Sequence, residues 1–301
     1  MQDIRVGAVQ VNGLLNAVEK NLSELKKWVH KAADKGAELI LFPETFLQGH
    51  VGADPIWESA EKVPGGPCVK RLEKIASEYD VFLSVGMTEK ERDICYNTQV
   101  LVSPQGYVGK SRKVHLSADE RLGFKAGTEM PVFNIGKCHV GQSICYDTIN
   151  PELCRTLVLK GAEVILMPHS GRCGAWKTVI EEKACVSRMK RQFTAAYPMR
   201  AMENACFLVI CNQVGNAGRV KYYPPRHWCQ PIHAGGCAVI GPTGDIIVES
   251  KTQRAEPEMV VCDLSADEFT KARSSVNSPL MTRRPELYDT LTAEPGSIQW
   301  D

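Results

Sequence analysis

Short apolar runs typical of β-strands alternate with amphipathic helical segments along this chain of 301 residues. The first run, residues 4–11, is followed by residues 16–35, in which apolar side chains recur every three or four positions, and then by a second run at residues 37–42. Such spacing gives a helix one buried face, and an apolar run bounded by Gly or Pro predicts a buried strand. The chain is therefore predicted to form an α/β layered fold.

The same alternation continues along the chain, but two tight turns change the type of sheet that it predicts. Residues 103–106 and 242–244 carry Pro and Gly as hairpin turns require, and each turn joins two strand-like runs. Hairpins combined with strand–helix units predict mixed sheets with helices outside, rather than a purely parallel sheet or barrel. The further predicted strands are residues 81–87, 97–102, 107–110, 139–144, 163–167, 206–212, 237–240, 245–249 and 259–263, and the further predicted helices are residues 67–79, 151–160, part of 175–203, and 266–274.

The composition is that of a globular protein without a charged partner. Hydrophobic residues make up 44% of the chain and charged residues 24%, and the formal net charge is +1. A chain with so little excess charge has no general attraction for nucleic acid or anionic lipid, so a small molecule is the expected partner. No apolar stretch approaches the roughly 18 residues that cross a bilayer, and no signal-peptide pattern is present. We expect a cytoplasmic protein.

Twelve cysteines are present, but their spacing predicts neither disulfides nor a metal site. No Cys-x-x-Cys pair occurs, and a large chain without a secretion signal is expected to keep its thiols reduced. The nearest metal-like cluster combines His227, Cys229, His233 and Cys237 at irregular intervals. We therefore predict no metal and no cofactor.

Three strand ends each deliver one reactive side chain into a loop. Glu44 follows the second strand, Lys113 follows the first hairpin, and Cys145 follows the run that ends at Ile144. Active sites of open α/β folds gather at strand ends. A thiol is a weak nucleophile until a base takes its proton or a cation lowers its pKa, and a carboxylate with an ammonium supplies both.

Each of these residues has an ordinary explanation when taken alone. A free Cys is commonly buried for packing, a Glu after a strand is commonly solvated, and Lys113 lies in a basic turn. His115 is a rival base because His titrates near neutrality, although it is expected to be only a structural neighbour. Residues 141–145 approach the Gly-x-Ser-x-Gly turn of serine hydrolases but end in Cys.

Together, three segments resemble the signatures of a known family in order and spacing. They are Phe42-Pro43-Glu44, Arg112-Lys113-Val114-His115-Leu116 and Ser143-Ile144-Cys145-Tyr146-Asp147. They resemble the signature segments of the nitrilase superfamily of carbon–nitrogen hydrolases. Supporting segments that are also similar to the family are residues 96–98, 104–106, 151–155, 161–163, 200–204 and 241–244.

The resemblance implies a four-layer α-β-β-α sandwich in which Glu44, Lys113 and Cys145 form a catalytic triad. A second glutamate shortly after the lysine is typical of the family, and Glu120 matches it better than Asp119 or Glu129 do. Glu120 is expected to hold the substrate nitrogen or to orient Lys113. The implied domain covers residues 1–277, and the tail at 278–301 is expected to serve subunit contacts in a homo-oligomer.

The implied reaction is acyl transfer through a thioester at Cys145. Glu44 is the expected general base, and the Lys113 ammonium with the backbone N–H of Tyr146 is expected to hold the developing oxyanion. An amide or N-carbamoyl compound is the expected substrate, because Cys145-Tyr146-Asp147 is more similar to the amidase and carbamoylase branches than to nitrilases, which usually show Cys-Trp-Glu. The alternatives are a nitrilase acting on a small nitrile and a catalytically idle interaction scaffold.

Substrate-binding residues are less well specified by the sequence. Carbamoylases place arginines just after the cysteine to bind a carboxylate, but this chain has Thr148 and Ile149 there. Arg172 could supply a positive charge from the following loop, and Trp176 could wall the pocket. Both are candidates for contact with the substrate, with a solvated surface arginine as the alternative for Arg172 and a subunit contact as the alternative for the segment of Trp176.

Overall fold

The computed structural model is an α/β fold built on two six-stranded sheets. It describes residues 1–50, 54–117, 119–174, 191–221, 228–251 and 256–293. No helix in these ranges is both long and apolar enough to cross a lipid bilayer.

The first sheet joins the two ends of the domain. Its strands are β1 (Ile4–Gln10), β2 (Leu39–Leu41), β3 (Phe82–Glu91), β4 (Ile94–Ser103), β5 (Gly106–Arg112) and β17 (Glu258–Leu264). Their order across the sheet is β17, β1, β2, β3, β4, β5. Strands β1, β2 and β3 run parallel, as helical connections require, whereas β4, β5 and β17 are antiparallel to their neighbours.

The second sheet repeats this plan. Its strands are β6 (Val132–Asn134), β7 (His139–Gln142), β8 (Val164–His169), β10 (Phe207–Asn212), β15 (Cys237–Ile240) and β16 (Ile246–Glu249). Their order is β16, β15, β10, β8, β7, β6, with β7, β8 and β10 parallel and the others antiparallel. Both sheets are therefore mixed, as the hairpin turns predict.

The two sheets pack face to face, and helices cover their outer faces. Helices α1 (Val18–Ala33) and α3 (Pro67–Tyr79) lie on the first sheet, and α4 (Pro151–Leu159) and α5 (Tyr197–Asn204) lie on the second. Apolar side chains from both sheets, such as Leu41 of β2, fill the space between them. The layers are α-β-β-α, which confirms the fold expected from the sequence.

Short strands missed by the sequence analysis form two smaller sheets. They are β9 (Arg172–Gly174), β11 (Val214–Asn216), β12 (Val220–Lys221), β13 (Trp228–Cys229) and β14 (Ile232–Ala234). The first of these sheets has the order β11, β14, β9, and β12 pairs with β13. The remaining helical elements are α2 (Asp54–Glu58), α6 (Ala266–Ser274), a π-helical turn at Gln192–Ala196, and 3₁₀ turns at Glu120–Leu122, Cys145–Ile149, Pro285–Leu287 and Asp289–Thr292.

The largest departure from the predicted strands is the hairpin of β3 and β4, which runs on to residues 91 and 94. The polar residues between the predicted strands 81–87 and 97–102 continue the hairpin, and Glu89 among them is buried. The Glu89 carboxylate pairs with Lys110 and Arg112 of β5 and accepts a hydrogen bond from Thr98 Oγ1 at 2.7 Å. A buried carboxylate is stable in a strand when neighbouring strands supply such partners.

The C-terminal tail, predicted from residue 278 onward, is largely exposed where the structure describes it. Within residues 278–293 most side chains are exposed, and only short 3₁₀ turns occur. A role of this tail in subunit contacts stays a prediction. Most of the predicted helix within residues 175–203 lies outside the described residues, apart from the π turn and α5.

The turn that carries Glu44 depends on a close approach between two backbones. A Cβ atom added to Gly86 of β3 would lie 2.3 Å from the backbone N of Thr45 and 2.4 Å from the carbonyl oxygen of Pro43. Gly86 N also donates a hydrogen bond to Pro43 O at 3.2 Å. Only glycine therefore fits at this point of β3.

We predict that Gly86→Ala destabilises the protein by about 3 kcal/mol, because its methyl group would push the β3 backbone away from the turn at residues 43–45. The matched control is Gly7→Ala on β1, where the added Cβ atom would meet its nearest neighbour at 3.6 Å. Urea unfolding of both variants measures the difference. Equal free energies of unfolding for the two variants would contradict this account.

Candidate active site

Glu44 lies in the turn after β2 and is fully buried. Its Oε1 accepts hydrogen bonds from Lys113 Nζ at 2.6 Å and from Asn97 Nδ2 at 2.7 Å. Its Oε2 has no hydrogen-bond partner among the described residues. Two donors therefore fix the carboxylate, and one of its oxygens stays free to accept a proton.

The backbone of Glu44 is held from the second sheet. Its carbonyl oxygen accepts hydrogen bonds from Ser170 Oγ and from Gln213 Nε2, each at 2.9 Å. Ser170 follows β8 and Gln213 follows β10. The turn that carries Glu44 is thereby attached to the sheet that carries Cys145.

Lys113 follows β5 and is buried, with 1% of its surface exposed. Its Nζ lies 2.6 Å from Glu44 Oε1 and 2.7 Å from Glu120 Oε2. Its backbone N donates to the carbonyl of Asn97 on β4 at 2.8 Å. A buried ammonium is costly unless paired, and here two carboxylates pair with it.

Glu120 lies at the start of a 3₁₀ turn and is also buried. Besides Lys113, its Oε2 accepts from the backbone N and the Oγ of Ser117, both at 2.8 Å. Asn97 Nδ2 donates to Glu120 Oε1 at 2.8 Å and also to Glu44. The structure thus brings Glu44, Lys113 and Glu120 together, with Asn97 bridging the two carboxylates.

Cys145 begins a 3₁₀ turn three residues after β7, with a φ of 50°. This left-handed conformation is uncommon for a residue other than glycine and is found at functional turns. Glu44, Lys113 and the backbone of Ser170 all influence the pKa of the Cys145 thiol. The turn that begins at Cys145 also contacts the segment after Lys113, because the Asp147 carboxylate accepts a hydrogen bond from the backbone N of His115 at 2.7 Å.

The three groups hold distinct protonation states. Burial opposes the charge of Glu44, but Lys113, His50 and the hydrogen bonds outweigh it and lower the Glu44 pKa to about 2. Burial also opposes the charge of Lys113, but Glu44, Cys145 and Glu120 raise the pKa of its ammonium. Burial and Glu44 raise the pKa of the Cys145 thiol, against Lys113. The resting site holds a carboxylate, an ammonium and a neutral thiol.

Asp147, two residues after Cys145, holds the turn that begins at Cys145 in place. Its carboxylate accepts from the backbone N of Ile144 at 3.1 Å and from the backbone N of His115 at 2.7 Å. The same carboxylate lies 2.9 Å from His115 Nδ1. His115, the rival base, is thus engaged by Asp147 at the edge of the site, with 39% of its side chain exposed.

The other predicted residues are placed differently. Arg172 pairs with Asp119, so its guanidinium is already engaged by a carboxylate. Glu129 is exposed. Tyr146 is the second residue of the 3₁₀ turn, where backbone N–H groups lack intrahelical partners. Trp176 lies outside the described residues.

Several residues of the site were missed by the sequence analysis. His50 Nδ1 lies 3.6 Å from Glu44 Oε2, and His50 Nε2 lies 3.8 Å from Glu120 Oε1. His169, at the end of β8, lies 3.1 Å from Tyr197 Oη through its Nε2. Asn97 belongs to a segment that resembles the family, so the sequence carried a signal for it. No spacing rule identifies histidines that come from separate parts of the chain.

Glu44, His50 and Glu120 are the described residues best placed to hold a metal ion, since their ligand atoms lie within 4.8 Å of one another. The Lys113 ammonium contacts both carboxylates of this set. A metal cation would be repelled by that charge at short range. The set therefore suits an ammonium better than a metal ion.

A family model described as carbon–nitrogen hydrolase matches residues 5–273 of the chain. The chain belongs to the carbon–nitrogen hydrolase family, within the nitrilase superfamily. It is thus a hydrolase of carbon–nitrogen bonds other than peptide bonds.

Relatives with different named activities align over nearly the whole chain. A nitrilase from Pyrococcus abyssi is 30% identical, with 95% of this chain and 99% of the relative covered. An (R)-stereoselective amidase from Pseudomonas sp. is also 30% identical, with 97% and 96% covered. An amidase structure from Nesterenkonia sp. superposes with a TM-score of 0.76 at 23% identity, covering 96% of each chain. These likenesses support the fold and the family and leave the substrate open.

We predict that His115 titrates above its ordinary pKa of 6.5 in the folded protein, because the Asp147 hydrogen bond and charge favour the imidazolium. The charged pair stabilises the fold below the unfolded pKa of His115, and this stabilisation is lost as pH rises through the raised folded pKa. NMR titration of the imidazole C–H resonances measures the shift.

Asp147→Asn is expected to bring the His115 pKa down toward its ordinary value, because the carboxylate charge is removed while the side chain keeps its size. Resonances of histidines that do not contact Asp147 are the internal control. Identical His115 titrations in the two proteins would show that Asp147 does not hold this ring.

Proposed function

We propose that this enzyme hydrolyses small uncharged amides through a thioester at Cys145, releasing ammonia. The observation that carries the proposal is the buried Lys113 ammonium between Glu44 and Glu120, with the Cys145 thiol within the reach of its charge. A carboxylate, an ammonium and a thiol in one site are the groups that acyl transfer needs.

The first step activates the thiol. Because the Cys145 pKa is raised, the resting thiol keeps its proton and must lose it as the carbon–sulfur bond forms. Glu44 Oε2 has no partner among the described residues and can accept that proton, while Oε1 stays bonded to Lys113 and Asn97. Glu44 is therefore the general base.

The second requirement is a place for negative charge. When sulfur adds to the amide carbon, the carbonyl oxygen becomes an oxyanion. The Lys113 ammonium and the backbone N–H of Tyr146 are the donors that we assign to it. Glu44 then returns its proton to the amide nitrogen, the carbon–nitrogen bond breaks, and ammonia leaves a thioester on Cys145.

The thioester is hydrolysed by the reverse sequence. Glu44 takes a proton from water, the hydroxyl oxygen adds to the thioester carbon, and sulfur leaves and regains a proton. Glu120 takes no proton in this scheme. It holds Lys113 from the side opposite Glu44 and shares the Asn97 donor, so it fixes the ammonium for both half-reactions.

Charge in the pocket favours an uncharged amide over an N-carbamoyl amino acid. The carboxylate of such a compound needs a free cation, and each of Lys113 and Arg172 is already paired. A further carboxylate beside Glu44 and Glu120 would be repelled. The Nesterenkonia amidase, for comparison, has been crystallised with acrylamide and butyramide in variant forms.

The test is ammonia release from a panel of small amides, nitriles and N-carbamoyl amino acids. We expect kcat/KM for amides to exceed that for the other two classes by at least about 10-fold. This ratio corresponds to a difference of about 1.4 kcal/mol in transition-state binding. Preference for nitriles would make the enzyme a nitrilase. No turnover of any class would support the idle scaffold.

We predict that Cys145→Ala abolishes ammonia release from amides, because no other group can form the thioester. The matched control is Cys262→Ala on β17, a half-buried thiol that takes no part in the site. Circular dichroism and kcat of both variants are the measurements. Residual activity of Cys145→Ala near that of the unmodified enzyme would refute the thioester mechanism.

We predict that Glu44→Gln lowers kcat by about 10²–10⁴-fold, the usual contribution of a general base. Gln keeps the size and can still accept a hydrogen bond from Lys113, but it cannot take the thiol proton. Glu129→Gln on an exposed loop is the control and should leave kcat unchanged. A fall in kcat of less than about 10-fold for Glu44→Gln would place the base elsewhere.

A further inference from the structure

Two buried imidazoles near Glu44 have ring nitrogens without hydrogen-bond partners among the described residues. Only 1% of His233 and 5% of His50 is exposed. Both ring nitrogens of His233 and the Nδ1 of His50 lack partners. Buried polar atoms are nearly always hydrogen-bonded, so orphaned ones call for a specific explanation.

His233 faces the catalytic groups from the three-stranded sheet. It lies on β14 directly opposite Arg172 on the antiparallel strand β9, so the two side chains share one face of the sheet. Arg172 pairs with Asp119, which immediately precedes Glu120. The backbone N of Ala234, next to His233, donates to the carbonyl oxygen of Gly171 at 3.3 Å, so β14 lies against the segment of Ser170. His233 thus lies next to the segment whose Ser170 Oγ donates to the Glu44 carbonyl oxygen at 2.9 Å.

His50 approaches the site from the loop after Glu44. Its ring nitrogens are 3.6 Å and 3.8 Å from the oxygens of Glu44 and Glu120, distances longer than hydrogen bonds. The electrostatic influence of His50 also reaches His233. Hydrogen-bonding capacity thus remains open on both imidazoles, close to the groups that carry the reaction.

The imidazole of His233 is neutral near pH 7. Burial, His50 and Arg172 lower its pKa to about 3, against the opposing influence of Glu44 and the Ser170 backbone. A neutral imidazole offers one N–H donor and one acceptor. It therefore matches an uncharged group that can both donate and accept, and it provides no charge for an anion.

We propose that His233 and His50 form a second recognition site, which binds an uncharged hydrogen-bonding group of the substrate beside the scissile amide. A hydroxyl or a second carboxamide has the required donor and acceptor. This inference rests on the amidase function proposed above, which it deepens by naming the substrate class. His233 and His50 are specificity residues in this account, and Glu44 and Cys145 carry out the same chemistry on every amide.

A carboxylate is the wrong group for this site. Glu44 and Glu120 lie next to His50, and the cation nearest to His233 on its sheet face, Arg172, is paired with Asp119. A hydroxyl or carboxamide avoids this repulsion and supplies partners to the orphaned nitrogens. Sites built to hydrogen-bond a substrate group discriminate strongly against analogues that lack it.

The experiment compares pairs of amides that have the same shape but differ in polarity. Lactamide is compared with isobutyramide, and malonamide with 3-methylbutanamide, with kcat/KM expressed per amide group. The polar member of at least one pair should be preferred by about 10-fold or more. Malonamate, which carries a carboxylate in place of the second amide, should be the poorer substrate when compared with malonamide.

Variants at His233 test the assignment. His233→Phe should bring the preference close to 1, because it keeps an aromatic ring without polar atoms, and turnover of the apolar amide should remain. His233→Gln should retain part of the preference because Gln also donates and accepts. His30→Phe, at an exposed histidine of α1, is the matched control and should change neither rate.

Binding to the Cys145→Ala variant separates this inference from the proposed function. Calorimetry should show tighter binding of the preferred polar amide than of its apolar partner, and the ¹⁵N resonances of the His233 ring should move only with the polar one. This readout needs neither turnover nor a folded His233 variant. If the enzyme does not hydrolyse amides but the binding preference persists, the proposed function is wrong and the recognition site still stands.

Three results would overturn the recognition site itself. They are equal binding and turnover within both pairs, preference for malonamate over malonamide, and His233 ring resonances that do not respond to the preferred polar amide. A preference that survives unchanged in His233→Phe would also assign recognition to other residues.

Discussion

The buried ammonium of Lys113 is the interaction on which the rest of the site depends. It contacts Glu44 and Glu120 at 2.6 Å and 2.7 Å and is almost completely removed from solvent. Removal of either carboxylate would leave buried charge without a full set of partners, which is strongly destabilising in proteins. The same ion pairs keep Glu44 ionised and Lys113 charged. The pairing that a buried ammonium needs for stability therefore also supplies the groups proposed for catalysis.

The scaffold positions these charges with backbone contacts rather than with further charges. Gly86 allows the strand β3 to lie against the turn of Glu44, and Ser170 and Gln213 attach that turn to the opposite sheet. Asp147 joins the nucleophile turn to the segment after Lys113. Apart from the local bond between Asp147 and Ile144, each contact links segments that are distant in sequence, which explains why the site lies where the two sheets meet.

The sequence predicted those parts of the structure that depend on local pattern. Helix α3 has the bounds that its apolar spacing predicts, and the residues of the three family-like segments meet in space. The continuation of the β3–β4 hairpin was missed because the partners of Glu89 come from another strand. The strands β9 and β14 are too short for a periodic signal, so His233 and the pairing of Arg172 with Asp119 could not be predicted.

The most direct test of the central claim is covalent labelling with a small electrophilic amide. We expect fluoroacetamide to modify Cys145 selectively among the twelve cysteines, as read by peptide mass spectrometry. Modification of another cysteine, with Cys145 unlabelled, would contradict the claim that the acid, the ammonium and this thiol act as one site.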